Sequence, residues 1–230
     1  TLEWAELEQL QQQLQSADRH YLVAYNRRYA PLSLRLREQL SSQQPMVLRY
    51  DVCVPVIPQD HWTLDPVEGG GRLVGEAEHF FDLFNFLVGD SPSQVSARCL
   101  LRPGETLDSQ YNFSVDLVYG DRALATVNYT GLAAAGMPRE QLTVHQAGSS
   151  WELTDFVRLR QLGKRGKRWR LPFADMGHRR ELEYFCDLLS GRSAEAPDPL
   201  AASRVALTAR EQLRRAGSAG KGVNELGAED

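Results

Sequence analysis

Lysine is nearly missing from this 230-residue chain. Three of its 26 basic residues are lysines, Lys164, Lys167 and Lys221. A mechanism that needs a lysine acid or base in the first 163 residues cannot be supplied by this chain. Cysteine is scarce as well: Cys53, Cys99 and Cys186 are odd in number, far apart and form no Cys-x-x-Cys pair. That excludes a disulfide framework and a cysteine metal cluster, and it suits a reducing compartment. No apolar run approaches the roughly 18 residues of a membrane helix, and no signal peptide opens the chain, so a cytoplasmic protein without a membrane partner is expected. The phosphate-binding patterns GxGxxG and GxxxxGK[ST] are both absent. So is overall basic character: a net charge of −4 argues against a nucleic-acid partner. What remains is ordinary globular material, 42% hydrophobic and 24% charged, enough for one large core.

The stretch that organises the rest is 69–89, GGGRLVGEAEHFFDLFNFLVG. Leu73, Ala77, Phe80, Phe84 and Leu87 recur at spacings of three and four, which predicts a helix with one buried stripe. Glu76, His79 and Asp82 stand three apart and make a second, ionisable stripe beside it. Polar groups held against a core cost free energy unless paired, so this line is either a satisfied internal network or a site. A single Glu-x-x-His copy falls short of a carboxylate-bridged metal bundle, so no metal is expected. The three glycines are read as a sharp turn with close backbone approach.

In chain order, an N-terminal helix with Thr1 as its cap presents Leu7, Leu10 and Leu14. Residues 20–25, HYLVAY, read as a buried strand, with Asn26-Arg27-Arg28-Tyr29 at its carboxyl end, the edge where open α/β sheets bind ligands. Pro31 starts a helix to about Leu40. A strand follows from Met46, then a loop holding Trp62 and Asp65, which either lids the core or furnishes the mouth of a site. After Gly89 the period becomes two, predicting strands at 94–102, 110–119, 123–130, 140–146, 150–160 and 167–171. These make a large, mainly antiparallel open sheet with helices on one face, an α+β fold. Its second face is expected to be apolar and covered by another subunit, giving a homodimer or tetramer. The basic run 158–170 reads either as a hairpin tip or as an anion patch. A helix at 178–190 is expected to point Leu182, Phe185, Cys186 and Leu189 inward. The last helix spans 200–215, and 216–230 is a flexible tail.

Four stretches together, VAYNRRYAP at 23–31, HWTLDPVEGGGRLVGEAEHFFDLFNFLVG at 61–89, MPREQLTVHQAGSSWELTDF at 137–156 and GHRRELEYF at 177–185, resemble the Gfo/Idh/MocA oxidoreductases, the glucose–fructose oxidoreductase and inositol dehydrogenase type. The resemblance implies a two-part enzyme that moves a hydride between NAD or NADP and a hydroxyl of a sugar, cyclitol or other polyol. It makes residues 1–30 a remnant helix and strand of a dinucleotide-binding Rossmann domain, and 31–215 the substrate-binding and oligomerisation domain. The cofactor-binding segment would then lie before residue 1. The resemblance further implies that His79 is the catalytic histidine that handles the proton of the reacting hydroxyl. Many members place an aspartate four residues before it, where this chain has Gly75 beside Glu76. Glu76 and Asp82 are expected to orient His79, and Asn26, Arg27, Trp62, Asp65 and Arg72 are the substrate-side candidates, with donors suited to hydroxyl-rich or anionic ligands. The competing reading is a non-catalytic binding or scaffold module assembled through its sheet.

Overall fold

The computed structural model describes residues 3–17, 20–58, 60–65, 67–101, 106–107, 111–163, 166–192 and 197–219. Among them are six helices, α1 Trp4–Ser16, α2 Pro31–Arg37, α3 Gly71–Gly75, α4 Glu78–Val88, α5 His178–Leu189 and α6 Ala201–Ala219. The strands are β1 Met46–Cys53, β2 Gln94–Cys99, β3 Phe113–Tyr119, β4 Ala123–Thr130, β5 Glu140–Gln146, β6 Ser149–Thr154, β7 Arg158–Gln161 and β8 Arg168–Arg170. They form one sheet in the order β2-β3-β4-β1-β5-β6-β7-β8. β1 and β4 run parallel, and the other pairings are antiparallel. The helices and strands between β1 and β4 provide the long crossover that a parallel pair requires.

The core lies where alternation meets the helical stripe. On β1, Met46, Leu48, Tyr50 and Val52 are buried, and Tyr50 packs edge-on against Phe80 of α4 at 4.9 Å between ring centres. Leu73, Ala77, Phe80, Phe84 and Leu87 are all buried, as the helical spacing requires. The edge strand β2 is tied down by α6: the Gln212 side chain accepts from Ala97 N–H at 2.9 Å and donates to Val95 O at 2.6 Å, satisfying main-chain groups an edge leaves open. α1 reaches the same helix through Gln11, which accepts from Arg204 at 3.1 Å.

The opposite sheet face is mainly a polar lattice, with Val47 and Leu124 exposed side by side at one end, which corrects the expectation of an apolar one. Asn128 donates to Asp51 at 3.0 Å, Thr126 to Asp116 at 2.7 Å, and Gln141 to Glu152 at 2.8 Å. Strand positions that need no core contact have taken cross-strand hydrogen bonds instead.

Four local expectations also change. The 69–89 helix is broken: Glu76 leaves helical geometry at φ −126°, and both Glu76 N–H and Ala77 N–H donate to Arg72 O. The 150–160 strand folds into β6 and β7 through Asp155 and Phe156, both left-handed at φ 49° and 53°. Phe156 is buried there, and the Asp155 carboxylate accepts from Glu140 N–H at 2.9 Å, so burial and a cap hold a turn that has no glycine. Residues 20–25 pair with no strand among the described residues, since a strand needs a neighbour to accept its ladder. In α5, Glu181 and Leu188 face the core, whereas Leu182 and Leu189 are 66% and 57% exposed and Cys186 is exposed as well, so the apolar stripe points outward. The basic run forms the β7–β8 hairpin, with residues 164 and 165 outside the described set. Thr1 also lies outside it, and Glu3 occupies the cap position of α1. α6 continues to Ala219, past the expected start of the tail.

Candidate active site around His79

The chain reaches His79 from four sides. Asn26–Tyr29 form a short 3-10 turn that packs on α4 and on the start of α5. Gly177 makes the second contact possible: it sits at φ 91°, and a Cβ there would lie 2.5 Å from Asn26 O. Asn26 itself is buried and donates to Met176 O at 2.9 Å, fastening the same junction.

His79, one position into α4, is half-buried. Its ring meets Tyr25 at right angles, 5.6 Å between centres, and its Nδ1 is sealed without a hydrogen-bond partner. Burial, with the Arg27 charge and His178 adding and Glu140 opposing, pushes its pKa down to about 4. The ring is therefore neutral near pH 7.

Glu76 and Asp82 do not orient it. Glu76 pairs with Arg72 and accepts from Tyr129 Oη at 2.6 Å, because the helix break turns it toward β4. Asp82 is gripped by both arms of Arg28, with Nε at 2.8 Å. Burial raises the Asp82 pKa on balance, although the Arg28 hydrogen bonds and charge pull it down. Two further candidates are also engaged internally. Arg27 makes a two-pronged ion pair with Glu140, at 2.8 and 2.7 Å, stacks over Phe80 at 4.9 Å, and shares Glu140 with Tyr50, whose hydroxyl donates at 2.6 Å. Arg72 is buried against Glu76 and lies over the Tyr111 ring. Asp65 caps a turn, accepting from Val67 and Glu68 N–H at 2.7 and 2.9 Å. Trp62 is 62% exposed, stacked on His61. Of the substrate-side candidates, Trp62 and Asp65 are exposed, and Asp65 spends one carboxylate oxygen on its turn.

Residues the sequence reading passed over form the tightest cluster. Tyr25 Oη donates to Glu78 and lies 3.3 Å from Ser203 Oγ, which donates to the same Glu78 oxygen at 3.1 Å. Burial raises the Glu78 pKa, with its hydroxyl partners acting in the opposite sense, and Oε1 is sealed and unpaired. The available signal was adjacency to His79, obscured because Glu78 falls off both the apolar and the ionisable stripe.

Two kinds of bound group can be tested against the described residues. Among the described residues no group of three or more His, Cys, Asp and Glu could hold a metal ion. The glycines at 69–71 open a helix of five residues, and a Cβ on Gly69 would lie 2.5 Å from Trp62 O and Thr63 O. The close approach of Gly69 is to this chain's own backbone, so it leaves no room there for a pyrophosphate. A cavity of about 550 Å³ lies elsewhere, lined by Met46, Val47, Leu124, His145 and Ser150 at one end of the open sheet face. Among the described residues no helix is long and apolar enough to cross a membrane.

Comparison with known proteins agrees with this architecture. Residues 44–150 match the GFO/IDH/MocA C-terminal domain. No curated protein matches the chain in sequence. Among solved structures, aldose-aldose oxidoreductase from Caulobacter crescentus superposes with a TM-score of 0.74 at 15% identity, over 92% of this chain and 67% of that one. UDP-N-acetylglucosamine 3-dehydrogenase GnnA from Acidithiobacillus ferrooxidans gives 0.71 at 19%, over 94% and 68%. The WlbA dehydrogenase from Bordetella pertussis, solved in complex with NADH and UDP-GlcNAcA, gives 0.66 at 18%, over 94% and 67%. The sheet order, the helical cover and the matched segment lead to one conclusion: residues 44–150 of this chain match the C-terminal domain of the GFO/IDH/MocA proteins, on a fold shared with solved oxidoreductases.

Proposed function

We propose that this chain is the substrate-binding part of an NAD(P)-dependent dehydrogenase acting on a sugar, cyclitol or other polyhydroxy compound, with His79 serving the reacting oxygen. The observation that carries the reading is His79 itself: a half-open imidazole with one nitrogen sealed and unpaired, beside a conspicuously built wall of Tyr25, Glu78 and Arg27. A histidine present only to satisfy the core would have spent that nitrogen on a neighbour. Three solved relatives bear names or ligands of sugar chemistry, which supports the substrate class. NAD(P), when bound, supplies the hydride acceptor or donor. No residue of this chain is assigned to it, so the nucleotide is gripped by another segment. Arg27 and Arg72 are removed from the substrate list because their donors are used inside the fold; Trp62 stays on it.

The test joins the chain to a dinucleotide-binding domain and measures turnover of a panel of sugars and cyclitols with NAD+ and NADP+. His79→Ala is expected to lower kcat at least about a hundredfold, the size of a lost acid–base or polarising group. Unchanged turnover in that variant removes His79 from the chemistry. A second reading, a scaffold with no chemistry, draws on the number of candidate side chains tied up internally; it gains if no substrate in the panel turns over.

A further inference from the structure

The two nitrogens of His79 stand in different surroundings. Nδ1 is sealed and meets no partner, whereas Nε2 is not among the sealed atoms and makes no hydrogen bond to the described residues. A neutral imidazole carries one N–H and one lone pair. A sealed N–H with no acceptor is a rarer and costlier arrangement than a sealed lone pair, so the hydrogen belongs on Nε2.

What holds the ring in that pose comes from three elements. Tyr25, just ahead of the 3-10 turn, packs edge-to-face on the imidazole. Its hydroxyl is pinned by Glu78 of α4 and Ser203 of α6. The other charged or titratable groups facing the ring are Arg27 from the turn, Glu140 from β5 and His178 from α5. None of them bonds to it.

We propose that Tyr25 is a positioning residue for His79: anchored by Glu78 and Ser203, its ring holds the imidazole with Nδ1 turned into the protein and Nε2–H turned outward, so that His79 meets the substrate oxygen as a neutral hydrogen-bond donor. This rests on the reading of His79 as the substrate-facing histidine. A neutral imidazole that lost its hydrogen would become an imidazolate, so donation stops at the hydrogen bond and polarises the oxygen, as neutral imidazoles do elsewhere.

Long-range proton–nitrogen NMR on the whole chain reads this directly, with His79→Gln identifying one signal among five histidines. The expected result is an Nε2–H pattern that persists down to about pH 5 and titrates near pH 4. Tyr25→Phe keeps the ring and loses the anchor; it mixes the tautomers and raises the midpoint by about one unit. Glu78→Gln, whose carbonyl still accepts from both hydroxyls, keeps the wild-type pattern, and Glu78→Ala loses it. An Nδ1–H pattern in the wild type, or a Tyr25→Phe spectrum identical to it, overturns the proposal. Should Tyr25→Phe fail to fold, Ser203→Ala and Glu78→Ala read the same anchor, and an unchanged His79 pattern in both is equally fatal. None of these readouts needs a substrate. Full turnover in His79→Ala would sink the functional reading and leave the tautomer standing, while an Nδ1–H signal would sink the positioning and leave the function.

Discussion

Breaking the Arg27–Glu140 pair is expected to be more damaging than deleting it. Arg27 and Glu140 are 8% and 4% exposed, and Glu140 also satisfies the Tyr50 hydroxyl. Glu140→Leu leaves a buried guanidinium with no counter-charge, which costs about 3–5 kcal/mol. It also orphans the Tyr50 hydroxyl, worth about 1–3 kcal/mol, although the two losses share one carboxylate and do not simply add. A total near 4 kcal/mol is a large fraction of the roughly 5–15 kcal/mol that holds a domain together. Arg27→Met with Glu140→Leu removes both charges and leaves the Tyr50 hydroxyl as the main loss, about 1–2 kcal/mol, so the double variant recovers stability.

Urea unfolding followed by tryptophan fluorescence measures this. With a slope of about 2–3 kcal/mol per molar, Glu140→Leu lowers the midpoint by about 1–2 M, and adding Arg27→Met restores at least half of that. The milder Glu140→Gln, still an acceptor for Tyr50, serves if Glu140→Leu does not fold. A double variant no more stable than Glu140→Leu alone would refute the idea that the uncompensated charge sets the cost. The pH dependence has a definite sign. Burial alone would raise the Glu140 pKa, but the Arg27 hydrogen bonds and charge outweigh it and hold the carboxyl below its usual value. Its stabilisation is therefore complete above the ordinary glutamate pKa of about 4.3 and is lost as pH falls through the lower folded value.

Two other outcomes are expected. His79 has a folded pKa of about 4 against an ordinary value of 6.5, so the unfolded chain binds the extra proton between them and wild-type stability falls by about 3 kcal/mol as pH drops across that window; His79→Gln flattens that part of a pH series of urea melts, and an unflattened series contradicts the buried neutral ring. Leu182→Lys on α5 changes stability by no more than about 0.5 kcal/mol in the same assay because the side chain is exposed; a loss of 2 kcal/mol or more would restore the inward orientation that the helical period suggests.

The sheet was legible because period two survives averaging over a strand. β4 and β5 occupy the expected 123–130 and 140–146, and a turn at Gly120-Asp121 joins β3 to β4. The Asp155–Phe156 turn escaped because a left-handed phenylalanine follows the aspartate, where a glycine is the usual mark. The break at Glu76 escaped for a different reason. A helical stripe records which residues are buried, and a shifted hydrogen-bond register keeps Leu73, Ala77 and Phe80 buried while redirecting the polar residue between them. That one redirection removed Glu76 from His79, and Arg28 removed Asp82, neither of which spacing along a helix can reveal.

Two discrepancies remain. Periodicity marks residues 20–25 as a strand and Leu182, Phe185, Cys186 and Leu189 as a buried stripe, yet the described residues offer the first no partner strand and leave most of the second exposed. Tyr25 ends the first segment and touches His79, and His178, which faces the same histidine, begins the helix that carries the second. Apolar patterning reports that a surface is made to be covered and says nothing of what covers it.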